Sequence, residues 1–178
     1  WKRDWAEARQ ALQAWWQHKG LALCVTAPKD TPWEDVPAPA PPRDIEQKWG
    51  DADHWYRREL ADQSRKFRGG AAYPRICTCI GGPGSLVLFL GAIGHPAPST
   101  LWYEPVIRDP SAHPALKPDF GGYWWKHHLS LLDRALADNH GRYIVGIPDL
   151  IENADTLAQL RDPQVLLMDM AERPDWVA

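Results

Sequence analysis

Apolar residues in positions 2–18 recur at helical spacing. Trp5, Ala8, Leu12, Trp15 and Trp16 fall near one face, and Gly20 follows as a natural stop. Residues 21–26, Leu-Ala-Leu-Cys-Val-Thr, are almost continuously apolar, the pattern of a strand buried on both faces. Asp44 is placed to cap a long polar helix reaching about Phe67, with Ile45, Trp49, Trp55, Leu60 and Phe67 as its buried side. Gly50 and Asp51 offer a break in it, and Gly69-Gly70 an end. Residues 71–80 form a second strand running into Gly81-Gly82-Pro83-Gly84-Ser85, where Ser85 can cap a short apolar helix over 86–90. Residues 101–107, with Trp102 and Tyr103, make a third strand. The strongest helix pattern spans 118–139. There Tyr123, Trp124, His127, Leu131, Leu132 and Leu136 lie near one stripe, closed by Gly141. A fourth strand over 142–147 follows. Asn153 or Asp155 then opens a helix through Arg161, and 163–172 supplies the last one.

Short apolar strands alternating with longer helices predict an α/β fold, a parallel sheet covered by helices in one domain over 1–178. An open doubly wound sheet and a closed barrel both satisfy this pattern. Composition adds little to that choice: 44% hydrophobic and 24% charged residues are the balance of an ordinary globular chain. The net charge of −3, from 20 basic and 23 acidic side chains, gives no polyanion-binding surface, so nucleic acid is not an expected partner. The longest apolar segment, 85–93, is about half the roughly 18–20 residues that span a bilayer. No membrane association and a cytoplasmic location are expected.

Two features of composition do change the picture. Six prolines (Pro28, Pro32, Pro37, Pro39, Pro41 and Pro42) fall within 27–43, which makes that segment an extended loop, either part of a binding face or a tether. Three cysteines are too few for a disulfide framework. Cys77 and Cys79 alternate on the second strand as small buried hydrophobes. A Cys-x-Cys pair without further ligands nearby does not close a zinc site.

Two stretches resemble the uroporphyrinogen decarboxylase superfamily, which includes corrinoid-linked methyltransferases. One runs from Ala72-Tyr73-Pro74 through Gly81-Gly82-Pro83-Gly84-Ser85 to Leu90-Gly91. It is similar to an early strand of that family, its loop, and a helix ending in Leu-Gly. The other is Tyr143-Ile144-Val145-Gly146-Ile147-Pro148-Asp149 followed by Asp155-Thr156-Leu157-Ala158-Gln159-Leu160-Arg161. Val165 to Met170 before Arg173-Pro174 matches the next helix. Trp15-Trp16, Thr26-Ala27-Pro28 and Thr100 to Pro105 look like a divergent branch. The resemblance implies a (β/α)8 TIM barrel of which this chain supplies roughly the first half, since such barrels take about 250 residues. The rest of the site would come from a C-terminal half or from a second copy in a homo-oligomer.

The departures from the family pattern bear on substrate. Members that decarboxylate uroporphyrinogen hold the pyrrole nitrogens with an aspartate that aligns near Gly82 here, and no acid lies between Tyr73 and Phe89. An arginine-rich segment for substrate carboxylates is replaced by Val25-Thr26-Ala27-Pro28. Four pyrrole N–H donors would then be buried unpaired, at about 1–3 kcal/mol each. The resemblance therefore points toward methyl transfer from a small methylated substrate, with zinc and a corrinoid in the complete protein and a corrinoid protein as a partner. A decarboxylase of tetrapyrrole biosynthesis and a non-catalytic ligand-binding barrel are the alternatives.

Barrel chemistry gathers where strands end at their C-terminal side. Asp149, directly after Ile147-Pro148, is the first candidate for an acid-base or orienting carboxylate, against a role in capping the next helix. Glu104 is the second, against a solvated loop acid. Tyr73, Arg75 and Trp102 are substrate-binding candidates. A buried Arg75 would need a substrate or internal carboxylate as partner. Gly82, Gly84 and Ser85 belong to a turn able to cradle an anion, although it matches neither the P-loop nor the dinucleotide spacing. The histidines are scattered, and adjacent His127 and His128 diverge by about 100° on a helix. They are expected at the surface, and no metal site is assigned to them. Trp15, Trp16, Trp124 and Trp125 are expected in the core. Trp33 and Trp102 are placed to offer flat faces to a planar or methylated cationic ligand.

Overall fold

A computed structural model describes the chain except for Trp33, residues 81–84, residues 151–152 and Ala178. Along the chain run α1 (Trp5–Trp16), β1 (Cys24–Pro28), α2 (Ile45–Gly50), α3 (Ala52–Ser64), β2 (Lys66–Gly70), β3 (Arg75–Cys77) and α4 (Ser85–Phe89). They are followed by β4 (Ile93–Pro96), β5 (Leu101–Glu104), α5 (Tyr123–Ala137), β6 (Ile144–Gly146), α6 (Asn153–Arg161), α7 (Pro163–Glu172) and α8 (Pro174–Val177). The described strands form three two-stranded sheets: β1–β2 and β4–β5 are antiparallel, and β3–β6 is parallel. The chain divides into two compact units. The first comprises Trp1–Arg43, Asp51–Thr78 and Leu131–Gly146, and the second the remainder.

In the first unit the parallel pair is the centre. Ile76 on β3 is fully buried beside a buried Pro74 and Thr78, and Thr78 Oγ1 donates to the Gly146 carbonyl at 3.2 Å. A polar network braces it. Tyr143 donates to the Ala135 carbonyl at 2.6 Å and stands 3.1 Å from the Tyr56 hydroxyl, which can donate to it in turn. Arg134 lies over the Tyr56 ring at 4.3 Å and pairs with Asp138 at 2.6 Å and with Asp53. Burial and the Tyr56 hydroxyl push the Tyr143 phenol well above its ordinary value. It stays a neutral donor at every physiological pH.

The ribbon β1–β2 departs from the predicted buried strand. Cys24, Val25, Thr26 and Pro28 are exposed, because β1 pairs with β2 alone among the described residues and its outer face carries Leu23, Val25 and Phe67 in the open. The inner face holds Arg68 instead, buried and satisfied by the Gln63 backbone and side chain. Gly70 turns the chain out of β2 at φ +62, where a Cβ would strike the Leu23 carbonyl. The helix predicted to run to Phe67 stops at Ser64 for the same reason: the following residues pair with β1. Its predicted break is present. Asp44 accepts from Gln47 N at 2.7 Å at the start of α2, and Asp51 accepts from His54 N at 2.9 Å at the start of α3. The Pro-rich loop is tied down, with Arg65 donating to the Val36 carbonyl and Arg142 pairing with Glu34.

The second unit builds its core on α4, whose Val87, Leu88 and Phe89 are buried with Leu101, Ile107 and Leu160. The Leu160 carbonyl accepts from Val106 N and Ile107 N at 2.8 and 2.9 Å, which fastens α6 to the exit of β5. On β4, a Cβ at Gly94 would lie within 3 Å of both Leu101 and Leu88, so only glycine admits that approach. Helix α7 begins where the sequence places it. Asp162, at φ +87, accepts from Gln164 N and Val165 N, and Pro163 takes the first turn. Arg161 and Asp169 form an ion pair at 2.7 Å with little solvent exposure, and the guanidinium holds the Asp169 carboxyl below its usual range. Among the described residues no helix is long and apolar enough to cross a membrane.

Candidate functional site

The register Arg75↔Ile144, Ile76↔Val145 and Cys77↔Gly146 points both strands of the parallel pair the same way. Past the C-terminal end of β3 the chain continues into the glycine-rich turn, and past that of β6 into Ile147, Pro148 and Asp149. Candidate residues thus follow the ends of two paired parallel strands. Gly82 and Gly84 lie outside the described residues. Ser85 is fully buried, and its Oγ accepts from Ile80 N at 3.2 Å. This oxygen is therefore engaged by a nearby backbone group. Asp149 is half-buried.

Arg75 was expected inside an apolar strand, in need of a buried counter-charge. Its side chain is instead exposed and lies across β6, where a Cβ on Gly146 would meet Arg75 Nε at 3.1 Å and Cδ at 3.2 Å. Edge position on a two-stranded pair lets the guanidinium reach solvent, so no buried partner is required. Tyr73 precedes β3 and stacks on Trp5 with ring centres 6.3 Å apart. It is the predicted site residue that lines a cavity of about 550 Å³, at the strands' N-terminal rather than C-terminal ends.

Glu104 and Trp102 sit on the β4–β5 ribbon. Glu104 pairs with Arg108 at 3.3 Å and stands 3.4 Å from His95, all three exposed. Trp102 is 69% exposed. This arrangement suits a solvated ion-pair cluster more than a proton-transfer site, because water screens each partner.

The histidines are not all at the surface. His54, His127 and His128 are buried, and Trp15 and Trp16 are exposed where core packing was expected. His127 packs flat on the exposed Tyr123 at 5.7 Å and edge-on to the half-buried Trp124. Its Nε2 is buried with no hydrogen-bond partner among the described residues. Desolvation holds its pKa below the ordinary imidazole value, opposed in part by a hydrogen bond to the Trp49 backbone. The sequence carried a usable signal: His127 occupies the apolar stripe of α5, four residues before Leu131. Cys77 and Cys79 are half-buried and Cys24 is exposed. Among the described residues no three His, Cys, Asp or Glu side chains converge on a position a metal could take. The zinc implied by the resemblance has no ligand set in these residues.

No family model, curated protein or solved structure matches the chain.

Proposed function

We propose that this chain forms the first part of a (β/α)8 barrel enzyme of the uroporphyrinogen decarboxylase kind, acting in methyl transfer from a small methylated substrate rather than on a porphyrinogen. The observation that carries the reading is the β3–β6 pair. Parallel strands occur almost wholly inside larger sheets covered by helices, yet here two three-residue strands pair alone among the described residues. Additional strands flanking this pair would bury it. The motifs that prompted the resemblance follow the same ends of these strands.

In this reading Asp149 is the working carboxylate. Its place after β6 is where barrel chemistry gathers, whereas Glu104 lies on an exposed ribbon in a solvated cluster with Arg108 and His95. Asp149 orients the substrate and, protonated, gives its proton to the atom that loses the methyl group, becoming the carboxylate. A corrinoid, when bound, would accept that methyl group. Against porphyrinogen stands the absence of any acid between Tyr73 and Phe89, which leaves pyrrole N–H donors without a carboxylate in that segment.

The test is a pair of assays on the full-length protein: corrinoid-dependent demethylation of small methyl donors, and formation of coproporphyrinogen from uroporphyrinogen. Demethylation without porphyrinogen turnover is the expected result. Porphyrinogen turnover would overturn the reading. Tight retention of a ligand with neither activity would favour a binding barrel.

A further inference from the structure

The cavity of about 550 Å³ in the first unit has no part in the proposed reaction. One wall is a face of α1, carrying Trp5, Arg9, Gln13 and Trp16 at intervals of three and four residues; the other holds Tyr73 and Ile144. By the register of the parallel pair, Tyr73 lies just before β3 and Ile144 opens β6, so the cleft sits at the entry of both strands.

Three properties mark it as a place for a ligand. Its size falls within the range of small-molecule sites, roughly 300–1,000 Å³. Its walls are aromatic: Trp5 and Tyr73 stack at 6.3 Å with an interplanar angle of 27°, and Trp16 stands 78% exposed at the rim. Its single charged lining residue is Arg9, whose side chain makes no ion pair or hydrogen bond among the described residues. Glu7, the acid closest to it on α1, lies about 200° round the helix and does not neutralise it. The amides of Gln13 and Gln17 add neutral donors and acceptors. An unpaired guanidinium beside flat rings complements a planar body that bears a carboxylate, which it can grip through two parallel N–H bonds.

We infer that this cleft binds a small aromatic carboxylate, its ring system between the Trp5–Tyr73 stack and Trp16 and its carboxylate on Arg9. A protein partner would also favour Trp, Tyr and Arg, but a concave site with one central cation fits a compact anion better than a flat patch. The inference does not rest on the proposed barrel reaction.

Naphthalene-2-carboxylate and its neutral counterpart 2-naphthamide serve as probes, titrated calorimetrically into the 178-residue protein. The carboxylate is expected to bind one to one with a Kd below about 1 mM, and the amide about tenfold more weakly, a difference of about 1.4 kcal/mol. Arg9→Gln is expected to weaken the carboxylate about tenfold and leave the amide unchanged. Arg9 is exposed, so this variant keeps the fold. Trp5→Ala is expected to weaken both ligands, with circular dichroism confirming that it is folded. Equal affinity for the two probes, an Arg9→Gln variant that binds both as before, or no binding at all would overturn the inference. So would self-association of the protein that Trp16→Ser abolishes, with no probe bound, since the face would then belong to a second copy.

Discussion

The parallel pair β3–β6 and the ribbon β4–β5 are both two strands wide and each buries one side chain deeply, Ile76 on the first and Leu101 on the second, yet their candidate site residues stand in different surroundings. On the first, Ile76 is fully buried and the Tyr56–Tyr143–Arg134 network is assembled beside it. On the second, Trp102, His95 and Glu104 are open to water. The network stands at the entry of β6, where Tyr143 precedes Ile144. Side chains on the exposed ribbon are screened by water and free to reorient, which weighs against Glu104 as a working carboxylate.

Exchange of the two carboxylates gives the largest contrast. Asp149→Asn is expected to lower kcat for methyl transfer about 10²–10⁴-fold, the usual worth of a positioned acid-base group. Glu104→Gln should leave kcat within about twofold. Equal losses would erase the distinction between the two regions. Next in size is core truncation. Ile76→Ala should cost about 2–5 kcal/mol in urea denaturation, and Ile93→Ala on the ribbon, where the side chain is exposed, within about 0.5 kcal/mol. Removal of one hydroxyl is a finer probe. Tyr143→Phe leaves Tyr56 Oη and the Ala135 carbonyl without this partner, at about 1–3 kcal/mol.

The smallest effect is a pH dependence from the second unit. His127 has a folded-state pKa below its unfolded value because burial disfavours the imidazolium. The unfolded chain therefore binds the proton first as pH falls. Stability from this group is complete above the unfolded value, about 6.5, and declines as pH drops from there toward the folded value. Denaturation midpoints should fall between pH 7 and pH 5, and less steeply in His127→Phe. An unchanged slope in that variant would assign the titration to another group.

Local signals in the sequence anticipated much of this and tertiary ones did not. Helix α7 occupies 163–172 as predicted, and the α2–α3 break falls at Gly50 and Asp51, where the sequence offers it. Strand pairing is non-local and was not legible. Nothing within 21–26 announces that its partner is 66–70, antiparallel, or that Leu23 and Val25 would remain exposed while Arg68 is buried. Periodicity placed His127 on an apolar stripe, but residue type suggested the surface. Trp15 and Trp16 gave the reverse error, since apolar character does not say which face of a short amphipathic helix finds a neighbour. Of the candidate site, the two strands were visible in advance, though β3 is shorter than the predicted 71–80 and β6 shorter than 142–147. The cleft was not, because Arg9 and Tyr73 are far apart in the chain.

The decisive measurement is a crystal structure of the full-length protein. Further parallel strands along the edges of β3–β6 that are open among the described residues, together closing a cylinder, are expected. A flat open sheet built on that pair would overturn the barrel reading.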